Sequence, residues 1–537
     1  MYYKVEAYIG SEQAGKILYD NDITPVFVSD NPVLNAQHVV FEAAKGYRYG
    51  LPYHAAMESV TSAPAELLGM GERIGKIKSG FDADVVVWDS DPLSVGATPI
   101  QIWIDGTAQF ADAVVLDKAA TEPIVPNVAL GADIKEVATI EQNLVFTGVS
   151  QIMIPGSEEI FDNDQAANVV VKDGKIICIG VCTSEMATAS SSKHEIIALK
   201  NGYLSPSFTA FGSELGLVEI AGEENTKNGA ESPDSFSRAI DGLQFQTKTL
   251  QASFAHGFTK GITAPEFQGG GLHGVSAGFS TGATHALEKG AVWADEVSLH
   301  YTLTLEAKQG RTPSISTAIA ALREKLLKAI AADFVKDTYS EASFLKEVVK
   351  GELPLVITVH SADTIASILR LKSTVEGAIK SASHENKRSG KINLVLLGAA
   401  EAHLVAKEIA AADVSVVLAP LLPYAESWDS RRSLSGAPLT NGTTIDALLA
   451  EGVLTAIAAK EGESWEVRDL NLMAGIAYKN SGGKLSETDA LGLIGKNFEK
   501  ILGVEGPKDE FVVWEGSPLE IGSRLKAVGS QGRVSVF

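Results

Sequence analysis

Ten histidines, two cysteines and 67 acidic residues are what this 537-residue chain offers for metal or acid–base chemistry. The histidines stand at 38, 54, 194, 256, 273, 285, 300, 360, 384 and 403, and no two are closer than twelve residues. A zinc site usually announces itself as His-x-His or as two histidines three or four apart on one helix face, and neither pattern occurs. His360 follows the apolar run Leu353–Val359, which places it at the end of an expected strand. Cys178 and Cys182 lie in an apolar stretch; a disulfide framework needs more cysteines and a redox motif two intervening residues, so both are expected to be free structural thiols. Gly269-Gly-Gly271-Leu-His-Gly274 fits G-x-G-x-x-G, with Asp295 as the acid further on, but glycine-rich turns at a barrel mouth explain it more simply than a dinucleotide loop.

The elements that must position these residues are bounded by composition. A length of 537 suggests two to four units, and 45% hydrophobic with 21% charged residues describes packed globular protein. A net charge of −22 repels phosphate backbones, so nucleic acid is excluded as a partner. No apolar run is long enough to span a bilayer and no leader pattern opens the chain, so the expectation is a soluble protein, cytoplasmic by default.

The chain repeats itself. Ala65-Glu-Leu-Leu-Gly69 followed by Ala83-Asp-Val-Val-Val-Trp-Asp-Ser-Asp-Pro-Leu93 matches Glu499-Lys-Ile-Leu-Gly503 followed by Glu510-Phe-Val-Val-Trp-Glu-Gly-Ser-Pro-Leu519. Upstream of each lies a helix and then a strand: Ala14–Tyr19 and Ile23–Val28 in the first, Ile445–Ala450 and Val453–Ile457 in the second. Only the second copy has some three hundred residues ahead of it, so the expectation is the tail of one module followed by a whole one. Within the whole module, residues 143–200 read as strands with an Asp173-Gly174 hairpin, and from 203 onward apolar strands alternate with amphipathic helices, the clearest being Thr312–Asp333. That alternation predicts a parallel (β/α)8 barrel of the TIM type, class α/β, with a small β-sandwich.

Arg73-Ile-Gly-Lys-Ile-Lys-Ser-Gly-Phe-Asp-Ala-Asp-Val-Val-Val-Trp-Asp89, with Asp91-Pro92-Leu93 and Ile102–Gly106, resembles the closing segment of the amidohydrolase superfamily, and Val170–Gly180 resembles its opening β-sandwich. Thr312-Pro313, Ala320–Glu324 and His360-Ser-Ala-Asp363 are more narrowly similar to the subgroup near imidazolonepropionase and N-acetylglucosamine-6-phosphate deacetylase, including two-module fungal members of carbohydrate esterase family 9. The resemblance implies five stretches. Residues 1–55 are a remnant of a first barrel, 56–135 its closing helix and sandwich strands, 136–202 the opening sandwich of the second module, 203–505 its barrel and 506–537 its closing strands. It implies hydrolysis of C–N bonds other than peptide bonds, on a small amide substrate, with a zinc-type divalent metal that generates hydroxide and polarises the carbonyl.

The ligand positions that the resemblance implies are mostly lost. The His-x-His pair falls on Gly212 and Glu214, the strand-6 histidine on Leu397 and the strand-8 acid on Lys460, whereas His360 matches the strand-5 histidine. The strand-4 ligand has no placed counterpart. Asp30, after Ile23–Val28, matches the strand-8 acid of the first module and equally suits a cap for the expected helix Val33–Lys45. The complete barrel is therefore expected not to bind the metal and the chain to be inactive or impaired alone. Two rival readings are a scaffold supporting an active partner barrel or a homo-oligomer, and an altered site of Glu214, His360 and Glu461.

Overall fold

The structure, a computed structural model, describes residues 4–31, 33–118, 139–154, 156–161, 166–191, 194–212, 214–228, 236–265, 272–308, 312–332, 336–382 and 390–537. Gly269–Gly271 of the Gly269–Gly274 motif and the whole stretch 119–138 lie outside these residues.

Eight strands form the barrel wall: β1 Phe208–Phe211, β2 Phe258–Thr263, β3 Leu272–Ser280, β4 Val292–Thr302, β5 Leu355–Val359, β6 Leu394–Gly398, β7 Ser415–Leu418 and β8 Thr455–Ile457. They are neighbours in chain order, as short connections dictate. The run β4 to β8 is parallel with helices between, as expected of buried apolar strands alternating with amphipathic helices. One strand departs from the expected parallel pattern: β3 runs antiparallel to both β2 and β4. Only eight residues separate β2 from β3 and eleven separate β3 from β4, too few in either gap for the helical crossover that parallel neighbours require. The ring is joined between β1 and β8 by the segment Leu493-Ile494, whose carbonyls accept Ile457 N (2.8 Å) and Thr209 N (2.9 Å).

The Thr312–Asp333 helix forms over Ile315–Ala331, where Ser314 caps it in a reciprocal capping box with Thr317. Pro313 thus precedes the cap instead of occupying the first turn.

Segments 139–206 and 511–536 share one nine-stranded sheet. Glu195–Pro206 lies antiparallel to Phe511–Glu515, with Val513 opposite Leu204, and crosses the expected division at 202. Trp514, wholly buried, donates Nε1 to Ser205 Oγ at 3.1 Å. Alternate residues such as Phe146, Val169, Val513 and Val534 form one core, as a two-residue period requires. Asp173 (φ +51°) and Gly174 (φ +72°) make the predicted hairpin turn, and a Cβ on Gly174 would collide with the Gly532 carbonyl carbon at 2.1 Å.

The two cysteines correct the sequence reading. Cys178 and Cys182 are joined in a disulfide, with Cα atoms 5.9 Å apart. Cys182 adopts φ +50°, which turns the chain back on the end of the strand Lys175–Gly180 and closes the spacing. That turn is tertiary information, absent from a count of cysteines.

The N-terminal segment carries short helices, chiefly Ala14–Asp20, Val39–Arg48 and Tyr53–Glu58, and Val39–Arg48 and Tyr53–Glu58 contribute to the core of the barrel module. Arg48 Nη1 donates to Ile521 O (3.1 Å), Lys45 pairs with Asp469 (3.1 Å), and Tyr8 donates to Glu219 (2.9 Å). Val85–Trp88, Pro99–Ile104 and Thr107–Ala108 make a separate three-stranded sheet. Among the described residues no helix is long and apolar enough to cross a membrane.

Candidate functional site

The mouth of the barrel, where β5, β6, β7 and β8 end, is where carboxylates and imidazoles would converge in this architecture. His360 is the first residue after β5, and its backbone carbonyl accepts Glu401 N at 3.0 Å. Its ring lies over Gly398 at the end of β6, and its Nδ1 is buried with no hydrogen-bond partner among the described residues. Burial, helped by the Lys460 ammonium and opposed by Glu426 and Glu401, lowers the imidazole to about 4, so the ring is neutral at physiological pH.

The other implied ligand positions do not complete a site. Gly212 (φ +68°) has no side chain to offer, and a Cβ there would meet Leu397 Cδ2 at 3.1 Å. Leu397 itself is buried with Phe211, Ile262, Val417, Ala419 and Ala458, so apolar packing fills the space where ligands would meet. Glu214 is buried in a turn, where its carbonyl accepts Leu217 N (2.9 Å). Lys460 is held by Glu426 (2.8 Å) and Glu463 (3.5 Å); burial alone would lower its ammonium, but these acids raise it, so a fixed cation stands where the resemblance implies the strand-8 acid. Among the described residues no three His, Cys, Asp or Glu side chains could together hold a metal ion, which removes the Glu214, His360 and Glu461 arrangement as observed geometry. A divalent metal does not fit these residues, because packed methyl groups and a cation stand where anionic or imidazole donors are needed.

Asp30 also departs from its expected setting. Residues 23–29 are extended but pair with no strand among the described residues, and Asp30 sits exposed in a turn at φ +48°, its carbonyl accepting Val33 N at 2.9 Å. The cap falls to Asn35, which accepts Gln37 N ahead of a 3-10 turn, and the α-helix begins only at Val39. A lone strand lacks the neighbours that would complete its ladder. One hydrogen bond of the barrel pattern persists, Phe27 N to Ser59 O (3.2 Å), as Ile457 N bonds Leu493 O in the complete barrel.

Two features escaped sequence reasoning. Glu401, wholly buried after β6, accepts Ala362 N (3.0 Å), Arg432 N (2.9 Å) and Arg432 Nη2 (2.6 Å). Burial would raise this carboxyl, but the Arg432 guanidinium and the N–H donors hold it below the usual range. The second is a cavity of about 120 Å³ between the N-terminal helices and the β7 and β8 loops, lined among others by His38, Glu42, Lys45, Lys460, Glu463 and Glu466. Burial and the neighbouring Glu463 push the Glu466 carboxyl up to about 8, so it is a neutral acid there. A chance to read either from sequence was slight, since each joins residues tens to hundreds of positions apart.

Comparison with known proteins agrees with this architecture. Residues 28–109 match the amidohydrolase family. The chain is 47% identical over 535 residues to the amidohydrolase tasK of Hapsidospora irregularis, covering 94% of this chain and 54% of that protein, so it spans about half the length of the curated relative it matches. An amidohydrolase structure from Thermotoga maritima aligns over 73% of this chain and 99% of its own, with a TM-score of 0.57 and 21% identity. On the barrel, the composite sheet and these matches together, the chain belongs to the amidohydrolase superfamily.

Proposed function

We propose that the parent activity is hydrolysis of a C–N bond other than a peptide bond, with amide deacetylation as the nearest example from the narrower resemblance, and that the complete barrel of this chain does not perform it. The observation that carries the second half is Leu397: its side chain packs against Gly212 where ligands of such a site would meet. Elemental analysis of the purified chain after dialysis tests it. Well under one equivalent of zinc-type metal is expected, unchanged by His360→Ala. About one tightly held metal per chain, lost in His360→Ala, would overturn the proposal in favour of an altered-site hydrolase.

A second reading, a non-catalytic barrel that supports an active one, draws support from the mouth itself. Lys460–Glu426 and Arg432–Glu401 are ion pairs between its loops, and the N-terminal helices lie against one side of it. Such a surface is built for holding elements together more than for admitting substrate. Small-molecule amide and partner barrel are accordingly proposed as ligands of the whole assembly, not of this barrel alone.

A further inference from the structure

The internal repeat carries down to individual hydrogen-bond partners. Trp88 and Trp514 differ by 514 − 88 = 426, and the same offset relates Val86 to Val512, Leu93 to Leu519 and Ile102 to Val528. In the first copy Val86 lies opposite Ile102 and Val85 opposite Trp103; in the second Val512 lies opposite Val528 and Phe511 opposite Gly529. Both carry an irregularity before the tryptophan, and both turn at matching positions, Asp105-Gly106 and Gln531-Gly532, with positive φ.

What differs is the far edge of each strand. Phe511–Glu515 is paired on its second edge by Gly202–Pro206, and Arg533–Val536 on its outer edge by Thr139–Glu141. Val85–Trp88 and Thr107–Ala108 are the two ends of their sheet, with no further strand among the described residues. Burial follows: Val512 and Val513 are fully buried, whereas Val86 is 44% and Val87 42% exposed. Unpaired apolar edges of this kind are templates for strand addition.

We infer that these two edges form a docking surface for the opening strands of a further amidohydrolase-type barrel module, whose counterpart of Glu195–Pro206 adds alongside Val85–Trp88. The register is set by the second copy: the incoming residue equivalent to Leu204 faces Val87, and that equivalent to Ser205 faces Val86. A second copy of this chain cannot serve, because its own Glu195–Pro206 and Thr139–Glu141 are already paired within its sheet. The relative tasK holds chain beyond the matched 54% of its length, enough to carry such a module. This inference rests on the repeat and not on the fate of the metal site, so either can fail without the other.

The test uses the full chain and a synthetic peptide with the sequence of Glu195–Pro206, both free and fused ahead of Met1 through a Gly/Ser linker of about 30 residues that raises its effective concentration. Backbone amide exchange is read at Val85–Trp88. The expected result is exchange slowed about tenfold or more by the fused peptide and saturably by the free one, with no change at Phe511–Glu515. The same peptide carrying Leu204→Pro should give no protection, since it lacks a ladder donor. Unchanged exchange in both arms, equal protection by the proline peptide, or protection that appears with chain concentration alone would each overturn it, the last by making a second copy the occupant.

Discussion

The imidazole of His360 lies so close over Gly398 that a Cβ there would come within 2.5 Å of His360 Cε1. Gly398 also has φ +86°, a conformation that side chains rarely adopt. Gly398→Ala should therefore both strain the backbone and displace the ring, at a cost of about 2 kcal/mol or more. Urea unfolding checks the magnitude, and histidine NMR checks the second effect: the His360 resonance should titrate nearer an ordinary histidine as its ring becomes more exposed.

His360 should also make stability depend on acid. With its imidazole lowered by burial to about 4, the folded chain refuses a proton that the unfolded chain accepts near 6.5. Its contribution is intact above about pH 6.5 and is lost progressively as pH falls toward 4, reaching about 2 kcal/mol by pH 5. His360→Gln should lose correspondingly less stability between pH 7 and pH 5. Identical losses in the two proteins would contradict the buried neutral ring.

Glu466 should act in the opposite sense. Its carboxyl, raised by burial and then by Glu463 to about 8, stays protonated in the folded chain while the unfolded chain ionises near 4.5. Stability from this group is complete below about pH 4.5 and lost as pH climbs to 8. Glu466→Gln keeps the neutral side chain at every pH, so the variant should gain on the parent as pH rises from 5 to 8. Thermal unfolding at those two values measures it.

Removing Arg432 should expose the cost of an orphaned acid. Glu401 is wholly buried and Arg432 is 38% exposed, so Arg432→Ala should destabilise by about 2 kcal/mol, less than for a fully enclosed pair. Arg432→Ala with Glu401→Gln should recover part of the loss. A double-mutant cycle on denaturation midpoints decides whether the two residues are coupled.

How far the fold could be read depended on whether a feature was local. The apolar runs ending at Val359, Leu397 and Leu418 mark β5 to β7 because a strand buried on both faces is continuously apolar, and the repeat marked Glu510–Leu519 as the twin of Ala83–Leu93. The direction of β3 was missed because strand direction follows from connection length once elements are placed, not from the residues in it. The strand expected ahead of Asp30 is missing for a related reason: Ile23–Val28 has strand composition, but a strand exists only beside another. Gly212, Leu397 and Lys460 were singled out only through resemblance, whereas the Arg432–Glu401 clamp joins residues 31 apart through a loop that carries no periodic signal.

The long strand Glu195–Pro206 has a consequence for how this chain is made. Its partner Phe511–Glu515 begins 511 − 206 = 305 residues later. At about 5–20 residues per second a ribosome needs roughly 15–60 s to supply that partner. During that interval the newborn strand presents Leu204 and its neighbours on an open edge, beside an unfinished barrel. Cellular yield should therefore hinge on what shields that edge during synthesis, such as a chaperone, more than on the equilibrium stability of the finished molecule.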